Sequence, residues 1–124
     1  MTFEAPVPGR KVRGSDTGRP LMAAFDLLGR RGVLRILWEL RDGEAQSFRA
    51  LQAAAELSPA TLNTRLRELK SAGLVQLDGG YRLAKLGLLV LPALDPLHGW
   101  AVAWAKQHSV SAARARSGRA RRKP

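Results

Sequence analysis

The strongest structural signal in this chain is residues 58–75, SPATLNTRLRELKSAGLV. A serine at a helix start accepts hydrogen bonds from free backbone amides, and proline in the next position has a preset φ and no amide to leave unpaired. Gly73 supplies the left-handed residue that commonly ends a helix. The stretch therefore predicts an α-helix from about Pro59 to Ala72.

This predicted helix has two faces of opposite character. At about 100° per residue, Leu62, Leu66 and Leu69 lie within roughly 60° of arc, so we expect them to face a core. Arg65 lies nearer the edge of that core, and its role stays open. The opposite face carries Ala60, Asn63, Thr64, Arg67 and Ser71, with Thr61, Glu68 and Lys70 on its flanks.

Three further helical segments are predicted ahead of this helix. Pro20 suits the first turn of the first segment and Gly29 its end, Asp42-Gly43 ends the second, and Ser47 caps the third. We expect the second segment to be the most buried. The apolar positions at helical spacing are Leu21, Ala24, Phe25 and Leu28, then Val33, Leu34, Leu37 and Leu40 with Ile36 and Trp38 beside them, then Phe48, Leu51 and Ala55.

The apolar period changes from about 3.6 to 2 after Gly73. Asp78-Gly79-Gly80 has tight-turn chemistry between two short alternating runs, which predicts a β-hairpin. Val75, Leu77, Tyr81 and Leu83 alternate there with Gln76, Asp78 and Arg82. The predicted fold class is therefore mainly α with one small hairpin: a winged helix-turn-helix domain with N- and C-terminal dimerisation helices. A simple edge hairpin stays open as the alternative to a wing.

The last helical stretch carries more apolar surface than one small core can absorb. Pro92, Pro96 and Gly99 are expected to kink or break it. A dimer interface is the predicted use of this surface, and the alternative is that the helix folds back on its own core. The predicted dimerisation residues are Leu89, Leu94, Leu97, Trp100 and Trp104.

The net charge of +11 is concentrated at the two ends of the chain. Residues 1–20 carry a net +2 and residues 106–124 a net +7, which leaves +2 on residues 21–105. Because both ends are rich in Gly, Pro, Ser, Ala and Arg, residues 1–19 and 107–124 are predicted to be poorly ordered basic arms around one domain at 20–106. The C-terminal arm either contacts phosphates or keeps the protein soluble.

The residue inventory argues against an enzyme. The absence of cysteine excludes a disulfide, a thiolate metal site and a cysteine nucleophile. His98 and His108 have no metal-ligand spacing, and no glycine-rich phosphate loop follows a strand. We therefore expect no catalytic site, no metal and no cofactor. The acids, expected to lie on solvated faces, are Glu39, Asp42, Glu44, Glu56 and Glu68.

A membrane partner is also not expected. No apolar run approaches the roughly 20 residues that span a bilayer, and residues 1–14 lack the apolar segment of a signal peptide. The sequence therefore predicts a cytoplasmic protein.

The polar face of the helix at 59–72 suits the major groove of double-stranded DNA. Asparagine pairs with adenine, arginine pairs with guanine, and a threonine methyl contacts thymine. The N-terminal half of such a helix reaches the bases. Base contacts are therefore predicted for Thr61, Asn63, Thr64 and Arg67, phosphate contacts for Ser58 and Lys70, and wing contacts for Gly79, Gly80 and Arg82.

Three stretches, residues 18–40, 47–75 and 81–104, resemble the HxlR family of winged helix-turn-helix regulators, which is similar to the MarR group. The most specific element is the Ser-Pro start, leucine-rich helix and Gly-Leu-Val exit of residues 58–75. The resemblance implies a homodimer on a palindromic operator near a promoter. Further matching positions are Phe48, Leu51, Tyr81, Leu83, Gly87, Pro92 and Trp100.

The chain also departs from that family. Relatives commonly have tryptophan at Gly32, arginine at Ser47 and threonine at Ala84, and the wing here is shortened to Asp-Gly-Gly. Many relatives sense electrophiles or oxidants through a cysteine, which this chain lacks, although a small-molecule effector of another kind stays open. Two alternative functions remain: a winged helix that binds protein, and a nonspecific nucleic-acid binder driven by the basic ends.

Overall fold

The computed structural model describes the backbone of residues 5–122 and the side chains of residues 5–109. The chain separates into two compact units that divide between Leu89 and Val90. The mainly helical order with one antiparallel hairpin confirms the predicted winged helix-turn-helix class, while the dimerisation role of the terminal helices stays a prediction. Its elements are α1 (Pro20–Leu28), α2 (Val33–Glu39), α3 (Phe48–Ala55), α4 (Pro59–Ser71), β1 (Val75–Leu77), β2 (Tyr81–Leu83) and α5 (Lys85–Arg122).

The helix-turn-helix begins and ends where its capping residues predict. Ser47 Oγ accepts from Ala50 N at 3.1 Å at the start of α3, and Ser58 Oγ accepts from Thr61 N at 3.2 Å at the start of α4. Gly73 adopts a left-handed φ of +89° just beyond α4. The two serine bonds fix the starts of both helices, since each satisfies a backbone amide that has no partner inside the helix.

The core of the first unit is built from leucine, isoleucine and valine on α2, α3 and α4. Leu62, Leu66 and Leu69 are all buried, which confirms the predicted inner face of α4. Leu34 and Trp38, in contrast, lie partly exposed on the outer side of α2. The residues of α2 and α3 that complete this core are Val33, Ile36, Leu37, Leu51 and Ala55, with Leu40 just after α2.

The hairpin forms at the predicted residues, and Val75 and Leu83 lie opposite each other and are both buried. Leu77 does not share their buried side as its apolar alternation predicts, since it is 57% exposed. One additional bridge extends it: the backbone N–H of Gln46 donates to Tyr81 O, and Tyr81 N–H donates to Gln46 O, both at 2.8 Å. Gln46 lies between α2 and α3, so the loop before the helix-turn-helix is bonded to the wing. Sequence analysis did not predict this bridge.

Residues 5–19, which were predicted to belong to a poorly ordered arm, form hydrogen-bonded turns before α1. Val12 and Ser15 exchange backbone hydrogen bonds at 2.9 and 3.1 Å, and Gly9 N donates to Gly18 O at 2.9 Å. The backbone N–H of Arg13 donates to Asp26 Oδ2 on α1 at 3.1 Å. Because Val12 is also buried, this segment is a folded loop held against α1.

Helix α1 presents a different face to the interior than its apolar spacing suggests. Its buried residues are Ala23, Asp26 and Leu27. Leu21 and Phe25 are 58% and 59% exposed, so α1 has an apolar stripe on its outer side. Neighbouring exposed apolar residues are a candidate interaction surface, whereas a single exposed apolar residue is not.

Helix α5 is continuous, and the expected break at Pro92, Pro96 or Gly99 does not occur. The helix extends to Arg122, so it includes backbone that sequence analysis assigned to a disordered tail. The side chains of that basic tail lie outside the described residues, except for those of residues 107–109.

The expectation that no segment is long and apolar enough for a membrane span is also wrong. Within the described part of the chain, one helical stretch, Lys85–Ser109, is long and apolar enough to cross a bilayer by length and composition. Only 6% of its most apolar 18 residues is buried. Asp95 and Lys106 are charged residues inside this stretch. The observation therefore identifies an uncovered apolar helix and does not by itself identify a lipid partner.

Gly87 allows the start of α5 to pack on the connection between α4 and β1. A β-carbon at this position would lie 2.2 Å from Leu74 O and 3.2 Å from Leu83 Cδ2. Since the Leu74 carbonyl also accepts from Ala84 N at 2.9 Å, the backbone there cannot withdraw without losing a hydrogen bond. Glycine is therefore required at position 87 by close approach.

We predict that Gly87→Ala lowers the free energy of unfolding by about 1–3 kcal/mol, because the added methyl overpacks a fixed backbone contact. Gly99→Ala is the matched control on the same helix, since a β-carbon there meets nothing within 4 Å. The control is expected to be neutral or to stabilise by up to about 1 kcal/mol, because alanine favours helix. Urea denaturation followed by circular dichroism measures both, and equal effects would contradict the packing argument.

Candidate nucleic-acid interface

The outer side of α4 brings together the predicted base- and phosphate-contacting residues. Asn63, Thr64, Arg67 and Lys70 are all exposed, and Thr61 is half-buried at the start of the helix. We call Asn63, Thr64, Arg67 and Lys70 the recognition face. Because three leucines hold the opposite side in the core, these four side chains project away from the first unit together.

Hydroxyl groups in the first turns of α4 are partly committed to the helix itself. Ser58 Oγ accepts from Thr61 N and donates to Thr61 Oγ1 at 3.0 Å. Thr64 Oγ1 donates to Ala60 O at 3.1 Å. The geometry of Ser58 is therefore that of a helix cap, while Thr64 uses its hydroxyl proton within the helix and keeps its methyl group for an apolar contact.

Arg65 and Glu68 belong to the interior rather than to the recognition face. Arg65 Nη1 donates to Glu68 Oε1, and Arg65 Nε donates to Arg31 O at 2.8 Å. Glu68 is 1% exposed, so its expected place on a solvated face is wrong. The second cation against Glu68 is Arg30, whose Nη1 donates to Glu68 Oε2.

This burial sets the charge of the recognition face. Glu68 is the one acidic residue within Pro59–Ser71, and it is directed inward and neutralised by two arginines. Arg67 and Lys70 therefore give the exposed side of α4 a positive charge without an acid beside them on the helix. A positive, polar surface of this kind favours the phosphate backbone and base edges of nucleic acid.

The wing presents fewer contact groups than α4. Gly79 is exposed at the tip with φ +67°, whereas Gly80 is packed so that a β-carbon would lie 3.0 Å from Gln46 O. Arg82 is half-buried opposite Gln76, and its buried Nε has no hydrogen-bond partner among the described residues. The exposed Asp78 beside the tip adds a negative charge, which disfavours close contact with phosphate.

Nothing in the described residues indicates a metal centre, since they contain no group of three or more His, Asp or Glu that could hold an ion.

The comparisons with known proteins agree with this geometry. Residues 33–76 match the family model for winged helix-turn-helix DNA-binding. The HTH-type transcriptional regulator MJ0925 of Methanocaldococcus jannaschii is 33% identical over 89 residues, which cover 67% of this chain and 83% of that protein. The chain belongs to the HTH-type transcriptional regulators. This chain is therefore a DNA-binding transcriptional regulator, and its family is not a class of enzymes.

Two further similarities are to proteins of Bacillus subtilis. The HTH-type transcriptional regulator YvaP of Bacillus subtilis is 33% identical over 90 residues, covering 65% of this chain and 82% of the relative. The crystal structure of quinone-bound YodB from B. subtilis is similar with a TM-score of 0.61 and 28% identity, covering 65% of this chain and 93% of that one. The regulator thus shares its fold with a solved protein over nearly all of that protein's length.

Proposed function

We propose that this protein is a cytoplasmic regulator of the HxlR type that binds a palindromic operator in duplex DNA as a homodimer. The observation that carries the proposal is the recognition face of α4. It combines an amide, a hydroxyl-bearing side chain and two cations on one exposed surface, while the only acid of α4 is buried. A module that binds protein would instead be expected to present apolar or acidic groups there.

The dimer is proposed from uncovered apolar surface on two helices. On α5, Leu89, Leu97, Trp100 and Trp104 are 63%, 47%, 57% and 53% exposed, and Leu94 is half-buried. The rings of Trp100 and Trp104 stack at 5.1 Å. On α1, the exposed stripe of Leu21 and Phe25 is of the same kind. A second copy of the chain would cover these surfaces.

A symmetric dimer also matches the geometry of DNA. Two recognition helices related by a two-fold axis enter successive major grooves when they lie about 34 Å apart. The operator is then an inverted repeat, since each half-site is read by the same residues of each protomer. In this proposal the apolar side of α5 faces a partner subunit and not lipid.

A small-molecule effector is part of the proposal because YodB was crystallised with a quinone bound. This chain contains no cysteine, so a ligand here is held by noncovalent contacts or by another residue type. The effector proposal is tested by adding quinones to the protein–DNA complex and measuring release of the DNA.

The decisive experiment is selection of bound fragments from a pool of random duplex DNA. Recovery of an inverted repeat supports both sequence-specific recognition and two-fold symmetry. A nonspecific binder would instead recover no shared sequence, bind with a steep dependence on salt, and lose most of its affinity when residues 106–124 are deleted.

We predict that Arg67→Ala relaxes the preference at one operator position and costs about 1–3 kcal/mol of binding free energy on the selected duplex. Arginine in the groove pairs with one base, so discrimination is lost at that base pair alone. Binding to single-position variants of the duplex measures this. Lys70→Ala is the comparison, because loss of a phosphate contact weakens all duplexes alike. An equal loss on every sequence for Arg67→Ala would contradict its assignment.

A further inference from the structure

A chain of buried charges connects α1 to the recognition helix. Asp26 on α1 lies 3.5 Å from Arg30 through Oδ1 and Nε. Arg30 then donates to Glu68 Oε2, and Arg65 donates to Glu68 Oε1. We call Asp26, Arg30, Glu68 and Arg65 the ionic relay. It connects α1, through Arg30 in the turn before α2, to the inner side of α4.

The relay is largely withdrawn from water. The side chains of Asp26 and Glu68 are 4% and 2% exposed, and those of Arg30 and Arg65 are 26% and 20% exposed. Buried ion pairs contribute little net stability compared with apolar packing, because removing charges from water is costly. Such pairs do restrict how the elements that carry them can be oriented, since each charged group must lie within hydrogen-bond distance of its partner.

The relay holds segments that are far apart in sequence. Asp26 also accepts from the Arg13 backbone N–H at 3.1 Å, which fastens the N-terminal loop. Arg65 Nε donates to Arg31 O at 2.8 Å, which fastens the turn before α2. Four segments, namely the N-terminal loop, α1, the turn before α2, and α4, are thus joined by one connected group of charges.

We propose that the ionic relay sets the rotation of α4 relative to α1, and that Asp26 and Arg30 are positioning residues for operator recognition although neither lies on the recognition face. This inference rests on the proposed function, which assigns α4 to the bases and α1 to the dimer. Through the relay, the helix proposed to contact the partner subunit is joined to the helix proposed to contact DNA.

A small error in this rotation has a large effect on recognition. Side chains on an α-helix extend to a radius of about 5–6 Å, so a rotation of about 10° moves their contact atoms by about 1 Å. Hydrogen bonds to base edges have a distance range of only about 0.5 Å. Leucines on the inner side of α4 permit such rotation because apolar contacts are not directional. The Arg30–Glu68 pair and the Arg65 Nε bond to Arg31 O oppose it, because both connect α4 to the turn before α2.

The test uses Asp26→Asn in the full-length protein. Asparagine still accepts from Arg13 N but lacks the charge that holds Arg30. Asp26 pairs with Arg30, which also pairs with Glu68 on α4, and its Oδ1 lies 3.9 Å from Arg13 Nε in the N-terminal loop. An effect on α4 that a change at Arg30 reproduces is therefore assigned to the Asp26–Arg30 pair. Arg30→Lys is the second variant, because a single ammonium group cannot reach both carboxylates in the manner of guanidinium.

Two measurements are made on each variant. The first is the ratio of dissociation constants for a scrambled duplex and for the duplex selected by the wild-type protein. The second is the set of backbone amide signals of Asn63, Thr64 and Arg67 in NMR spectra without DNA. We expect the ratio to fall about five- to tenfold and the amide signals of α4 to shift.

Glu39→Gln is the matched control. Glu39 accepts from Arg35 Nε at 2.9 Å in another i,i+4 pair, on α2 and outside the relay. The ratio of dissociation constants for Glu39→Gln is expected to stay within about twofold of the wild-type ratio, as for an exposed helix pair. The relay is overturned if the wild type discriminates between duplexes while Asp26→Asn and Arg30→Lys discriminate equally well and leave the α4 amide signals in place. If the wild type shows no discrimination, the proposed recognition surface itself is overturned.

Discussion

Glu68→Gln is expected to lower the free energy of unfolding by about 3 kcal/mol. The carboxylate is buried between Arg30 and Arg65, and an amide of the same shape removes the counter-charge that Arg65 has in this pair and leaves Arg30 with Asp26 alone. Its NH₂ group also directs donors at groups that can only donate. The two arginines retain partial contact with water, which places the effect at the lower end of the range for broken buried ion pairs.

Urea denaturation measures this loss, with Glu39→Gln as the control. Glu39 makes a single, more exposed pair with Arg35, and its removal is expected to cost about 0.3–0.5 kcal/mol. A loss for Glu68→Gln no greater than that of the control would show that the buried carboxylate contributes no more than a surface pair.

Trp104→Glu is expected to convert the proposed dimer into a monomer and to lower affinity for the selected duplex by about 10²–10⁴-fold. A charge in the middle of an apolar interface must be desolvated without a partner. A monomer then engages one half-site and loses the gain in effective concentration from the second. Light scattering coupled to size-exclusion chromatography measures the mass, and titration of the duplex measures the affinity.

Val102→Glu is the matched control for this prediction. Val102 is also an exposed apolar residue of α5, at 44%, but helical spacing places it with Asp95 and Lys106 on the opposite side from Trp100 and Trp104. This variant should remain a dimer with unchanged affinity. Dissociation of both variants, or of neither, would argue against an interface centred on the tryptophans.

Local signals in the sequence predicted most of the helix-turn-helix. Ser58-Pro59 and Gly73 define the ends of α4 through bonds to nearby residues, and the leucine spacing defines its buried side. The hairpin likewise follows from the change of period and the Asp-Gly-Gly turn. Each of these features depends on residues within one or two turns of each other, which is the range in which periodicity and capping are informative.

The features that sequence analysis missed depend on partners far along the chain. Glu68 has the charge of a surface residue, and its burial is explained by Arg30, 38 residues away. The N-terminal loop has the composition of a disordered arm, yet Asp26 and the turn at Val12 order it. Gln46 pairs with the hairpin as a single residue, and a single residue is too short to show an apolar period.

The course of helix α5 was mispredicted for a different reason. Pro92 and Pro96 lack the amide that continues a helix, so each was expected to interrupt it. The structure keeps the helix continuous through both residues. Composition also misled the membrane expectation, because charges such as Asp95 divide the apolar run without preventing the helix from being apolar on average.

The two backbone hydrogen bonds between Gln46 and Tyr81 determine where this domain can accept inserted residues. They fasten the hairpin at the strand end next to the turn, where Tyr81 pairs with Leu77, and Gly80 beside them has no room for a side chain. Gly79 has open space around it, and Asp78 N donates to Gly80 O at 2.8 Å across the tip. Extra residues, for example a basic peptide grafted to add minor-groove contacts, should therefore be inserted between Asp78 and Gly79, where the graft leaves the register of both strands intact.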